Sequence, residues 1–321
     1  MNNPKNNLKF ENFTPEKFTT IADEKKQYYI EDSDKDLFHI FHENDCYALW
    51  AAYAAGRPLL VRGKTGTGKS QLAKAIAHQL GWAFVSEVIR GNTELSDLHW
   101  HFDAIGRLGE AQAMSKVECN LKELKAGKFL SPSAFWWAYD WESAERQHKQ
   151  CRTRLKAKPE NNNNAYEHGV VLLIDEIDKA EPDLPNGLLE TLGDYKFTVP
   201  YINQTITAKP EKLLVIITTN EERELPPAFL RRCFVHTLKM EETTDWLTAR
   251  GELHFGDKIA ESVYLDAAKL LLDDRKNCKR YKPGLAEYID LLSALSKLEP
   301  DEQQQRLTKI KDYALKKELV D

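Results

Sequence analysis

The sequence is short of several things at once. No apolar run approaches the roughly 20 residues that a membrane-spanning helix needs. The opening stretch, MNNPKNNLKF, has no apolar centre of a secretory leader, so neither a span nor a leader is expected. Cysteine is scarce: five in 321 residues, odd in number and scattered at Cys46, Cys119, Cys151, Cys233 and Cys278. That set makes neither a disulfide framework nor a zinc site, and it fits reduced thiols in a cytoplasm. The nine histidines show no metal spacing, His99 with His101 being a lone pair. Positive charge is not in excess. The net charge of -5 exerts no overall pull on nucleic acid or anionic membrane. Two short basic stretches, CRTRLKAK (151–158) and CKRYK (278–282), are flanked by acids and read as solvated helix faces. No internal repeat is present.

What is there is an ordinary globular mixture, 42% hydrophobic and 30% charged, with length for about two domains. Residues 1–30 are rich in Asn and Lys and are read as a mobile arm, anchored by YYI at 28–30. A helix is predicted next, capped by Ser33 or Asp34, with Leu37, Phe41, Ala48, Ala52 and Ala55 near one stripe and Gly56 at its end. PLLV (58–61), AFVSEVI (83–89), VVLLIDE (170–176), LLVIITTN (213–220) and CFVHTL (233–238) read as strands. Runs of apolar residues without polar alternation suit strands buried on both faces of a parallel sheet. Strands alternating with helices give an α/β core over 31–240. From about 241 to 321 the pattern is helical only, with Leu285, Ile289, Leu292 and Leu295 marking one face and Leu307, Ile310 and Ala314 another. Two segments interrupt the core: an excursion over about 104–168 and a hairpin in KFTVPYINQTITA (196–208).

The chemistry begins at GKTGTGKS, residues 63–70. Gly, four residues, Gly, Lys and Ser is the spacing of a phosphate-binding loop. Glycines let backbone N–H groups converge on an anion, and the following helix aims its positive end at it. Lys69 supplies charge toward the β- and γ-phosphates, and the Ser70 hydroxyl ligates Mg²⁺. The candidate nucleotide contacts are Gly63, Lys64, Thr65, Gly66, Thr67, Gly68, Lys69, Ser70 and Gln71. Asp175 and Glu176 end a buried strand. An aspartate there can hold Mg²⁺, and the next carboxylate can polarise a water as general base. Asp178 reads as a surface or helix-start residue. Asn220, at a further strand tip, can orient that water. LPPAFLRRCF (225–234) reads as a short helix ending in Arg231 and Arg232. They either complement the helix dipole or reach into a neighbouring subunit's nucleotide.

This ordered set resembles the AAA+ ATPases, and within them the MoxR group of the clade with an insert in helix 2. The resemblance covers roughly 35–300, through GKTGTGKSQLAKAIAHQLGW, DLHWHFDAIGRLGEAQ, LLIDEIDKAEPDLPNGLLETL, IITTN and LPPAFLRRC. It implies Walker A at Gly63–Ser70, Walker B at Asp175 and Glu176, and sensor 1 at Asn220. It also implies an arginine finger acting in trans, with Arg232 at the finger position and Arg231 beside it. Where the group carries a sensor 2 arginine the sequence reads KRYKPGLAEYIDLL, with no arginine at the matching place, Lys282 and Arg280 being the nearby cations. The 104–168 excursion corresponds to the helix 2 insert, and the 196–208 hairpin to the pre-sensor 1 insertion.

The resemblance further implies ATP and Mg²⁺, a homo-oligomeric ring (a hexamer), and remodelling of a protein partner with a von Willebrand factor A domain. Three alternatives stand beside it: a nucleotide-gated scaffold, a nucleic-acid-linked motor, and a small-molecule phosphotransferase. The aromatic stretch FWWAYDW (135–141) can pair Trp137 with Trp141, or Phe135 with Tyr139, on one helix face. Packing into the core is the expectation there, and a subunit or partner contact the alternative.

Overall fold

The computed structural model describes residues 28–31, 36–114, 124–153, 155–278 and 282–315. The arm read over 1–30 lies outside them except for its last residues. The described chain falls into two compact units. One comprises Phe41–Arg62 and Ala73–His236; the other joins the first strands, Gly63–Leu72 and the chain from Thr237 onward.

Strands β1 (Tyr28–Glu31) and β2 (Asp36–His39) pair antiparallel, Tyr28 opposite His39. The predicted helix therefore starts later than its stripe implied. Leu37 belongs to β2, and α1 spans Glu43–Ala54. His42 takes the cap position, where its backbone N–H donates to Asp45 Oδ2 at 2.9 Å. Ser33 and Asp34, the predicted caps, lie outside the described residues.

The sheet follows: β3 (Leu59–Arg62), then α2 (Lys69–Leu80), then β4 (Ala83–Val88). After α3 (Leu95–His99), β5 (Trp100–Phe102) and α4 (Ala104–Met114) the chain enters the insert. It contains β6 (Leu130–Pro132), α5 (Ala134–Tyr139) and α6 (Trp141–Gln150). Then come β7 (Val170–Asp175), α7 (Asp183–Asp194), the hairpin β8 (Lys196–Val199) and β9 (Gln204–Thr207), β10 (Leu213–Thr219), α8 (Pro227–Leu230) and β11 (Phe234–Thr237). Five strands form one sheet in the order β11-β3-β10-β7-β4. The pairs β3–β10, β10–β7 and β7–β4 are parallel.

β10 is buried along its whole length, and β7 is buried from Val170 to Ile174. That is the uninterrupted apolar reading of a covered strand. β4 differs. AFVSEV lies at the sheet edge and alternates, with Ser86 and Val88 exposed. Its apolar run was therefore read as more deeply buried than it is.

The aromatic stretch goes into the core: Phe135, Trp136, Trp137, Tyr139 and Trp141 are all buried, and α5 packs on β4 and β7. Both foreseen pairs form edge-to-face, Phe135–Tyr139 at 5.4 Å and Trp137–Trp141 at 5.1 Å between centroids. Each such pair contributes about 0.5–1.5 kcal/mol beyond its burial. The stretch is not one helix. The chain turns at Asp140, whose carboxylate accepts from Ser143 N–H at 3.0 Å and so caps α6. The hairpin tip is stacked on β5, Tyr201 over Phe102 at 4.1 Å.

The described residues of CRTRLKAK, all but Arg154, are irregular rather than helical. Its cations pair with acids from other elements: Arg152 with Glu110 at 2.7 Å, and Lys156 with Glu87 at 2.6 Å. Cys46, Cys151, Cys233 and Cys278 are free thiols. Burial pushes Cys46 and Cys233 up to about 12, so they stay protonated.

The second unit is built on α9 (Thr244–Phe255), α10 (Glu261–Asn277), α11 (Leu285–Leu295) and α12 (Pro300–Leu315). Its centre holds Tyr264 and Tyr288, both fully buried. Their hydroxyls donate to Gly256 O at 2.9 Å and Tyr264 O at 3.0 Å, so neither buries an unmatched donor. Among the described residues, no helix is long and apolar enough to cross a membrane.

Candidate functional site

In an open parallel sheet, ligands bind beyond the carboxyl ends of the strands, where successive connections leave in opposite directions. The strand order places that point between β3 and β10. From β3 the chain runs to β4 at one edge; from β10 it runs to β11 at the other. The glycine loop starts at the residue following Arg62, the end of β3. Asp175 ends β7, and Asn220 is the residue that follows the end of its neighbour β10.

The loop's glycines are required by geometry. Gly66 has φ +80, and a Cβ on it would come 3.1 Å from the Ala286 Cβ. A Cβ on Gly63 would come 2.7 Å from the Leu238 carbonyl oxygen, closer than real atoms allow. Lys69 opens α2 and is buried, and its ammonium donates to Gly63 O at 2.7 Å and Lys64 O at 3.0 Å. The lysine charge is thus folded into the loop, whose carbonyls hold it. Thr67 Oγ1 donates to Lys64 O at 2.9 Å, closing the turn. Ser70 and Gln71 are half-buried in the first turn of α2. Replacing Lys69 by Ala is expected to abolish nucleotide binding, because the loop loses its only side-chain cation held inside it. Calorimetric titration of ATP checks this, and wild-type affinity would refute the assignment.

The tips of β7 and β10 form a second cluster. The backbone ladder between these strands ends at Ile217 opposite Ile174, and side chains continue it. The buried Thr218 hydroxyl donates to Asp175 Oδ1 and accepts from Glu176 N–H at 2.9 Å. One hydroxyl therefore orients both acids. Glu176 lies in the left-handed region, φ +60. For a residue with a side chain this is a strain of about 1–3 kcal/mol, found where surroundings enforce it. Here the enforcement is the Thr218 bond together with the 3-10 turn Ile177–Lys179. Glu176 Oε1 accepts from Asn220 Nδ2 at 3.3 Å, and Oε2 lies 2.6 Å from Lys179 Nζ. The Lys179 ammonium is held above the ordinary lysine range, first by its hydrogen bond to Glu176 and then by that carboxylate's charge.

Asp178 lies in the first turn of the 3-10 segment Ile177–Lys179, which fits the helix-start reading and not the surface one. It is 2% exposed, and its Oδ2 accepts from Asn220 N–H at 3.1 Å and Glu222 N–H at 2.9 Å. Sequence reasoning missed Thr218, whose alternation with Asn220 along the strand was a signal for it, and gave Asp178 no part in the site. Arg231 and Arg232 are both exposed, at the end of the single turn α8. One turn carries little macrodipole to complement.

Lys282 is exposed and Arg280 lies outside the described residues. At the start of α11 the residue against Gly66 is Ala286, too short to reach a phosphate. His99 is buried, stacks on Phe197 at 4.3 Å and bonds Thr191 at 3.0 Å. Burial lowers its pKa to about 4, so it stays neutral.

Asp175, at the tip of β7, offers carboxylate oxygens of the kind a hard divalent cation takes. A glycine loop after the first strand of a doubly wound sheet, with two carboxylates and an amide on the neighbouring strand tips, defines a P-loop nucleotide-binding α/β protein. A family model described as the AAA domain (dynein-related subfamily) matches residues 58–233, and the chain belongs to that family. No curated protein matches the chain.

Proposed function

We propose that the protein hydrolyses ATP with Mg²⁺ as a MoxR-like AAA+ ring, a hexamer, and uses turnover to remodel or activate a partner protein. The observation that supports turnover most directly is the joined cluster of Asp175, Glu176 and Asn220, since binding alone needs no acid. Lys69 and the loop amides hold the phosphates. Mg²⁺, held by Ser70 and Asp175, would neutralise charge on the phosphate oxygens. Glu176 takes a proton from the attacking water, and Asn220 orients that water. To act as base, Glu176 must release a carboxylate oxygen from Lys179 or from Asn220. An arginine from the neighbouring subunit, Arg231 or Arg232, completes the site. The partner class that the MoxR resemblance implies carries a von Willebrand factor A domain.

A nucleotide-gated scaffold with little turnover is the second reading. It is favoured by the Lys179 tether on Glu176 and by the lack of an arginine in PGLAEYIDLL, where the MoxR resemblance expects one. Phosphate release from ATP separates the two. The proposed function predicts multiple turnovers per subunit that stop when EDTA removes the divalent cation. ATP binding without steady release would support the scaffold instead.

A further inference from the structure

The buried carboxylate of Asp178 has a cost that packing alone does not explain. It is 2% exposed, and its Oδ1 has no hydrogen-bond partner among the described residues. Burying an acid that way is unfavourable unless what it holds matters. What it holds is specific. Both of its hydrogen bonds go through one oxygen, to the N–H groups of Asn220 and Glu222. Between them lies Glu221, itself left-handed at φ +61, with its N–H on Thr219 Oγ1 at 3.0 Å. The chain leaving β10 is thus wrapped around the Asp178 carboxylate. The wrap begins at the residue whose side-chain amide meets Glu176 at 3.3 Å. Asp178 is itself tied to Glu176 through the 3-10 turn Ile177–Lys179. The acid and the amide that would share the attacking water are therefore held in register from below by one side chain.

We infer that Asp178 is a positioning residue for Asn220: it fixes the backbone from which the amide reaches Glu176, and so sets their separation. The inference rests on the proposed ATP hydrolysis at this site. Two N–H groups on one acceptor define a turn more tightly than either alone, and a misplacement of about 1 Å can cost on the order of 10²-fold in rate. Asp178 touches no reacting atom, so its effect must pass through Asn220. This distinguishes it from a residue that merely stabilises the fold.

The test is a double-mutant cycle on the full chain. It reads kcat and KM for ATP, ATP affinity by calorimetry, and the melting temperature. Asp178→Ala is expected to lower kcat by about 10- to 100-fold while ATP affinity and KM stay within about threefold of wild type. Asp178→Asn, whose amide oxygen can still accept from both N–H groups, is expected to restore kcat to within about fivefold of wild type. In an Asn220→Ala background, Asp178→Ala is expected to lower kcat no further, since the two act as one unit. If Asp178→Ala melts below the assay temperature, Asp178→Glu, which keeps an acceptor but displaces it, replaces it in the same cycle.

Additive losses in the double variant would overturn the inference, as would Asp178→Asn losing as much kcat as Asp178→Ala at unchanged melting temperature. Wild-type kcat in a folded Asp178→Ala variant would also overturn it. Each of these leaves ATP hydrolysis by the wild-type chain standing. A wild-type chain with no turnover refutes the proposed function and this inference with it.

Discussion

Replacing the finger arginine is expected to abolish ATP turnover while leaving the fold and ATP binding intact. Arg231 and Arg232 are exposed, on one turn of helix. There, a role within their own subunit is limited to the ~0.3–1 kcal/mol of a helix-end charge. An arginine stabilising the transition state of a neighbour's phosphoryl transfer contributes about 10³- to 10⁵-fold in rate, or roughly 4–7 kcal/mol. The gap between the two readings is large enough that the kinetics of Arg231→Ala and Arg232→Ala separate them and show which arginine acts. Action in trans carries a second consequence. Mixing the inactive arginine variant with Glu176→Gln is expected to restore part of the activity, because some mixed interfaces pair an intact Glu176 with an intact arginine. Absence of rescue in a preparation shown to co-assemble would count against trans action.

Glu176→Gln is the other large effect. The amide keeps the shape of the side chain and removes the base. ATP is expected to bind as in wild type and hydrolysis to fall by about 10²- to 10⁴-fold, the usual worth of general-base catalysis. The Lys179 ion pair at 2.6 Å is lost in the same variant. Each partner is partly exposed, so the loss carries little stability, and the melting temperature is expected to move little. Rapid-quench measurement of bound ATP against phosphate formed reads both halves of this prediction. Wild-type turnover in the variant would mean that water is activated elsewhere.

Where sequence and structure part company, the reason is physical in each case. VVLLIDE and LLVIITTN are legible as strands because their burial is continuous and needs no partner to be recognised. The phosphate loop is legible because close approach and left-handed φ leave few residue types possible. AFVSEVI was read as deeper than it is because edge and centre differ by a neighbour the sequence does not contain. The helix predicted from Ser33 or Asp34 started too early. Leu37 fits a helical stripe, but β2 is decided by pairing with Tyr28–Glu31. For Asp178 the helix-start reading holds and the surface reading fails, although an acid after a strand is normally solvated. The turn at Asn220–Glu222 supplies the two N–H donors that this buried acid accepts from. The two three-residue strands Trp100–Phe102 and Leu130–Pro132 pair across a wide sequence gap and have no pattern of their own to read.

Under the proposed function, each site is completed by a neighbouring copy of the chain. Specific ATPase activity measured against protein concentration, with the assembly sized at each point, tests it most directly. Total activity is expected to rise more steeply than linearly, with specific activity falling toward zero as the subunits separate. Constant specific activity down to monomeric samples would contradict it.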